Sequence, residues 1–476
     1  MKRASRRPSV SVILRRLPVF LLAFVFFPFL VRVRIRHARS APVYFDFERV
    51  TVNSVASGKP NPEVYKQHMN QLLRAITSDY IDWHRQQLHI CEENATHAQT
   101  IPKLVYRSMR RNYGVGDVIR GLLHSYLIAV ISKRMFFIDV ERPFPLSMVL
   151  TSPNGYNFTY DRYLFPELSS YEHIQWLRKS IYFDKLDTAL SDTPTLVDES
   201  QTVLDWELFL IIPRLYPQLE ISKKLPQSSG FSPTREEVIP FILKALFCPS
   251  PELRSLLPGQ ENTDNLVWPL STLFSPDQNL LWRNEMPAYI SVHARVGYGF
   301  NETEARFNLK NQGLTPESLA TCMAQMAVRM ADQRRMLHPH HFFISSDTDH
   351  FRTLFKTEVN RLRPSAKVYQ SNWQAVHMNR VGRSQSPSKV SDFMNTYVDV
   401  YLLSKGKSML FIRSGFSHVA LWMGAITDFV GIRLKYCTRV MNGSSSLEKS
   451  MNDAEQERAG YQTERYRSIN SSAGVA

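Results

Sequence analysis

Glycine is scarce in this chain, 18 residues in 476, against a usual share of roughly 7%. A collagen-like or glycine-rich flexible protein is therefore excluded, and any cluster of glycines acquires meaning. Cysteine is scarcer still. Cys91, Cys248, Cys322 and Cys437 stand far apart and never as a CxxC pair, so no metal ribbon or thioredoxin-type centre is visible. In an oxidising compartment the four could form up to two disulfides with three possible connectivities; the alternative is buried free thiols. Acidic residues are missing altogether from the first 45 positions, which carry ten Lys/Arg. Most of the formal charge of +15 lies there: the other 431 residues hold 48 Lys/Arg against 43 Asp/Glu. That balance is ordinary for a soluble domain, and a nucleic-acid footprint has little support.

What is present begins inside that basic end. Leu17 to Val31 form an uninterrupted apolar run with six positive charges before it and four after. Fifteen residues make a helix of roughly 22 Å, short of an average hydrocarbon core but tolerable in the thinner membranes of the early secretory pathway. The pattern predicts a cytoplasmic basic tail over 1–16 and a single-pass signal-anchor over 17–31, with the bulk of the chain lumenal. A cleaved signal peptide, with Ala38 and Ser40 as the small residues before the cut, is the rival; Arg32, Arg34, Arg36 and Arg39 argue against it, because such charge is unusual at a cleavage region. Five N-x-S/T sequons, at Asn94, Asn157, Asn301, Asn442 and Asn470, fit lumenal exposure.

Residues 32–99 read as a stem with a helical stretch from about Pro62 to Leu88. Residues 100–249 open with a strand, a glycine-bearing turn (Gly114-Val-Gly116-Asp117), a helix and a second apolar run, Met135 to Asp139, which is a βαβ unit. Residues 250–287, punctuated by proline, connect this to a second segment over 288–440, where strands and helices alternate again. Strands are expected at Tyr289–Arg295, His341–Ser346, near Val368 and at Met409–Ile412, and helices after Thr315, over Asp349–Leu362, over Val390–Ser404 and after Gly415. Such alternation predicts α/β architecture with parallel sheets covered on both faces. The polar tail over 441–476 is expected to be disordered.

Three groups could carry chemistry. Gly114, Gly116 and Asp117 open a helix directly after a strand, offering backbone N–H groups to an anion, or else making a tight turn capped by Asp117. Ser291, His293 and Arg295 share one face at the end of the second segment's first strand; the Arg must meet either a protein carboxylate or a ligand phosphate. Asp399 interrupts an apolar helix face, and Ser414, Phe416 and Ser417 begin a helix at a strand end, a suitable place for a diphosphate; a solvated Asp and a helix-capping Ser are the alternatives. Asp347-Thr-Asp349 is the one DxD, with Asp347 read as a nucleotide-side contact or helix cap and Asp349 as a first-turn acid.

In this order the groups resemble the GDP-fucose-dependent fucosyltransferase superfamily, comprising α1,2-, α1,6- and protein O-fucosyltransferases with plant xyloglucan and rhizobial relatives. The G-x-G-[ND] loop is matched at Gly114 to Asp117, the Arg-hydrophobic-Asp run at Arg134 to Asp139, H-x-R at His293-Ala-Arg295, and the strand ending in S/T-D at Ile344 to Asp347. The D-x-x-x-L-S helix is matched at Asp399 to Ser404, and the S-[ST]-F turn at Ser414-Gly-Phe416. Two positions depart: Val296 stands where many members have a second Arg, and Tyr298 where an Asp is common. The resemblance implies a GT-B fold, two Rossmann-like domains facing a cleft, and an inverting transfer of fucose from GDP-fucose to a glycan or glycoprotein in the Golgi or ER lumen. By it Arg295 binds the leaving diphosphate with support from His293; Asp347, Asp399, Ser414, Phe416 and Ser417 line the donor; and Asp117 faces the acceptor. No metal or other cofactor is expected, and no nucleic-acid partner.

Overall fold

In the computed structural model the chain builds two parallel sheets from separate stretches of sequence. The structure describes residues 62–107, 114–153, 158–165, 174–177, 195–198, 233–256, 288–297, 309–371, 373, 387–412 and 414–456, short of positions 142, 143, 162 and 234. The expected anchor at 17–31 and Tyr298 lie outside the described residues, as does most of the connection at 250–287. No helix among the described residues is long and apolar enough to cross a membrane.

Helices α1 (Pro62–Arg74), α2 (Tyr80–Glu93) and α3 (Ala95–Thr100) come first, α1 and α2 being joined by one π-helical segment, Ala75–Asp79. They do not stand apart as a stem. Met69, Leu72, Ile76 and Tyr80 are buried, the Tyr80 hydroxyl donates to the Arg134 carbonyl at 2.6 Å, and the Tyr126 hydroxyl donates to that of Ile76. His84 is sealed in the same layer, its Nε2 2.8 Å from the Phe136 carbonyl, and burial pushes its pKa down to about 4. The apolar face of the helical stretch therefore belongs to the first core.

β1 (Lys103–Arg107), α4 (Val115–Ile131) and β2 (Met135–Asp139) form the βαβ unit. Short β3 (Leu150–Thr151), β4 (Ile174–Leu177) and β5 (Thr195–Asp198) follow, then α5 (Arg235–Leu246), β6 (Cys248–Pro249) and α6 (Pro251–Leu256). The first sheet runs β2-β1-β5-β4, all parallel, while β3 and β6 make a separate antiparallel pair. Arg107 and Asp139, partners in register across β1 and β2, form an ion pair at 2.6 Å. This places the acid of the Arg-hydrophobic-Asp run in a structural contact.

The second sheet uses β7 (Ile290–Ala294), α7 (Pro316–Gln333), β8 (His341–Ser346), α8 (Asp349–Leu362), β9 (Lys367–Gln370), α9 (Pro387–Ser404), β10 (Ser408–Ile412), α10 (Gly415–Gly424), β11 (Phe429–Ile432) and α11 (Leu434–Met441). Its order is β11-β10-β7-β8-β9, all parallel. The helix after Thr315 begins with that residue as N-cap, and Leu319, Cys322, Met323, Met326 and Met330 are buried, as the helical period requires. A disulfide joins Cys322 to Cys437, tying α7 to α11, whereas Cys91 and Cys248 are free thiols. The tail is not structureless up to 456: residues 447–456 are helical and bury Met451 and Ala454 in the second core, and Glu455 joins the Arg334–Asp428 ion pair. Two apolar side chains and one acid are enough to dock a segment whose overall composition is polar.

Candidate active site

Strand order locates the site. From β7 the chain moves outward through β8 and β9, then returns to place β10 on the other side of β7. Helices on either side of such a reversal diverge and leave a crevice above the carboxyl ends of the two central strands. Those ends carry His293 and Ala294, followed by Arg295, on β7, and Ile412, with Ser414 two positions on, on β10. Arg295, one residue beyond its strand, is exposed. The adjacent polar groups are locked together. Ser414 is the N-cap of α10, its hydroxyl accepting from the Ser417 amide at 3.1 Å. The Ser417 hydroxyl donates to the Ile412 carbonyl at 3.0 Å and lies 2.7 Å from His293 Nδ1. The Ser414 hydroxyl lies 2.8 Å from the same Ser417 oxygen, so both serines and the imidazole share one polar contact. Burial, and then the Arg295 charge, push the His293 pKa down to about 3, so the ring is neutral. It stacks on Phe416, with ring centroids 5.0 Å apart.

Beneath this lies Asp399. His293 and Ser345 are partners across β7 and β8, and the Ser345 hydroxyl donates to Asp399 Oδ2 at 2.8 Å. The carboxyl is 6% exposed, and burial pushes its pKa up to about 6 against the hydrogen bond from Ser345 and the attraction of Arg352. Oδ1 has no hydrogen-bond partner in the usual distance range, and the Ser371 and Trp373 side chains act on the carboxyl only more weakly. Asp347 is differently placed: it accepts from the Val296 amide at 2.8 Å and the Gly297 amide at 2.7 Å. Thr348, not Asp347, caps α8. Asp349 is bonded to the Arg352 guanidinium. The two acids of the DxD thus have different partners: one holds backbone amides, the other a cation.

The first sheet contributes the glycine loop. Gly114 caps α4, and Asp117 is half-buried in its first turn. The expected role of Gly116, opening the loop to an anion, gives way to a packing one. A Cβ on Gly116 would lie 2.3 Å from the Gly415 carbonyl carbon and 2.7 Å from the Phe416 nitrogen. The starts of α4 and α10 therefore cross at glycine on glycine, and only hydrogen permits the approach. Asp117 stands at the same crossing, since a Cβ on Gly415 would sit 3.7 Å from its Oδ1.

No protein-family model and no curated protein matches the chain. Among solved structures, a mutant of Arabidopsis thaliana FUT1 in complex with GDP aligns over 82% of this chain and 84% of its own, at 13% identity and a TM-score of 0.44. NodZ α-1,6-fucosyltransferase soaked with GDP-fucose aligns over 70% of this chain and 96% of its own, at 15% identity and a TM-score of 0.34. The NodZ fucosyltransferase from Bradyrhizobium gives the same coverage and identity at 0.35. The chain is similar to fucosyltransferases. Identities this low and scores below 0.5 leave the functional reading to rest on the residues themselves.

Of the residues singled out in the sequence, the structure brings His293, Ser414, Phe416 and Ser417 into one contact network, with Arg295 on the turn that follows β7 and Asp347, at the end of β8, bonded to that turn. It sets Asp399 below them and Gly114, Gly116 and Asp117 at the crossing helix. Their roles are not all those expected: His293 and Ser417 are buried and anchor α10 to β7. Sequence reasoning missed Ser345 and Arg352. Arg352, 2% exposed, reaches the Ser371 hydroxyl and the carbonyls of Ser371 and Trp373. Its place three residues after Asp349 reads as an exposed helical ion pair, and nothing local reveals the burial.

Proposed function

We propose that the chain is an inverting, metal-independent glycosyltransferase that moves fucose from GDP-fucose to a glycan or glycoprotein acceptor. The observation that carries this is the convergence of H-x-R and S-G-F, 119 residues apart from Arg295 to Ser414, on the two strand ends that flank the reversal of the second sheet. In the transfer, the bond from the anomeric carbon to the diphosphate oxygen breaks as the acceptor oxygen attacks from the opposite face, and negative charge grows on the departing GDP. Arg295 is an exposed cation beside that crevice, and the N-terminus of α10 adds the positive end of a helix dipole; both favour the departing anion without a metal. The engaged state of Asp347 and Asp349 supports the same choice. Asp117, at the crossing of the two helices, is the acid available to orient the acceptor hydroxyl. The Cys322–Cys437 disulfide fits an oxidising lumen, and with the apolar run at 17–31 it supports an enzyme anchored in the Golgi or ER membrane.

A panel of nucleotide sugars tests the donor. A ligand at 100 times its dissociation constant adds about 2.7 kcal/mol to stability, so GDP and GDP-fucose should raise the melting temperature while UDP-sugars leave it unchanged. Stabilisation by a UDP-sugar alone overturns the donor assignment. Stabilisation by GDP-fucose with no transfer to any glycan of a broad acceptor array makes the chain an inactive binding homologue.

A further inference from the structure

The turn after β7 holds an arrangement that the donor-contact role expected of Asp347 does not explain. Val296 and Gly297 present successive amides in one direction, Gly297 at a φ of +75°, which is the concave backbone form that binds anions. Its occupant is internal: one Asp347 oxygen accepts from each amide, at 2.8 and 2.7 Å, and the Ser346 hydroxyl approaches the first oxygen at 3.3 Å. Both carboxylate oxygens are thus committed to the turn that begins immediately after Arg295. Val296 is fully buried, whereas Arg295 is exposed. The clamp therefore fixes the backbone on the far side of the Arg, while β7, in register with β8 and β10, fixes it on the near side.

We propose that Asp347 is a positioning residue: it holds the Val296–Gly297 turn so that Arg295 meets the diphosphate already oriented. This rests on the reading of Arg295 given above. Two charge-assisted hydrogen bonds at the end of a strand restrict the backbone that carries the guanidinium, and an Arg held in place loses less freedom when the anion arrives. The buried apolar side chain at 296 adds to the same anchor.

The test is a double-mutant cycle read by calorimetric titration with GDP, alongside thermal unfolding. Asp347→Ala should weaken GDP binding by about 10-fold or more. Asp347→Asn, which keeps one acceptor oxygen, should weaken it less and serves if the Ala variant does not fold. In the Arg295→Ala background the same substitutions should cost less than about threefold, because the residue they orient is gone. A purely structural role would lower the melting temperature without that dependence on Arg295. Equal losses in both backgrounds overturn the proposal, as does undiminished GDP binding in folded Asp347 variants while Arg295→Ala binds poorly. A wild-type chain that binds no GDP removes the reading of the site, and this role with it.

Discussion

The two parallel sheets reach the site by opposite means. The second sheet delivers polar side chains and immobilises them: Ser417 to His293 and Ile412, Ser345 to Asp399, and Asp347 to two backbone amides. The first sheet delivers a helix buried along most of its length, whose closest approach to α10 is glycine on glycine with Asp117 beside it. Electrostatics is concentrated on one side and shape on the other. Such a division suits a site in which one partner must be held by its charge while the other only has to be brought close.

Arg295→Ala breaks the polar side most severely. Removing a cation that meets charge developing in the transition state should cost about 100-fold or more in rate. Because the residue is exposed, the melting temperature should stay within a few degrees of wild type; fucosyl transfer to an acceptor array, followed by radiolabel, measures it. Near-normal turnover would end the assignment.

Gly116→Ala breaks the side of shape. A methyl 2.3 Å from a backbone carbon cannot be accommodated unless α4 and α10 separate, and overpacking of this kind costs about 1–3 kcal/mol. Gly415→Ala, whose Cβ would have its nearest neighbour 3.2 Å away, should cost less, although the two glycines touch each other. Chemical denaturation of both variants reads the asymmetry, and equal losses would contradict the geometry.

Asp399 sharpens the comparison through pH. In the folded chain burial raises its pKa to about 6, whereas a carboxyl with no such burial titrates near 3.8. The folded state therefore binds the proton more tightly, so this group's contribution to stability is full below about pH 4 and is lost as pH rises through about 6. The stability difference between wild type and Asp399→Asn should change between pH 4 and 6 and then level off. A difference that does not vary with pH would show that the carboxyl is not shifted.

The smallest effect is none at all. If Arg295 and the α10 terminus carry the diphosphate, EDTA should leave the transfer rate unchanged. An EDTA-sensitive rate restored by Mn²⁺ would instead point to a metal held by acids that the geometry gives to amides and to Arg352.

Sequence pattern alone determined a good deal here. The helical period after Thr315, the apolar strands at His341–Ser346 and Met409–Ile412, and the glycine and proline boundaries are set by interactions within a few residues. Their alternation implied parallel sheets because a strand-helix-strand crossover has few other solutions. Other outcomes depended on partners distant in the chain. Composition could not tell that residues 447–456 dock on the second core, that the helices after Pro62 join the first, or which cysteines pair. Gly116 looked like an anion loop because its neighbour Gly415 is 299 positions away. The amides that Asp347 holds belong to another strand's end, out of reach of any local pattern. Local periodicity decides where elements begin and stop. Which buried polar group meets which is decided only when strand order brings distant ends together, since each must find a partner once water is excluded.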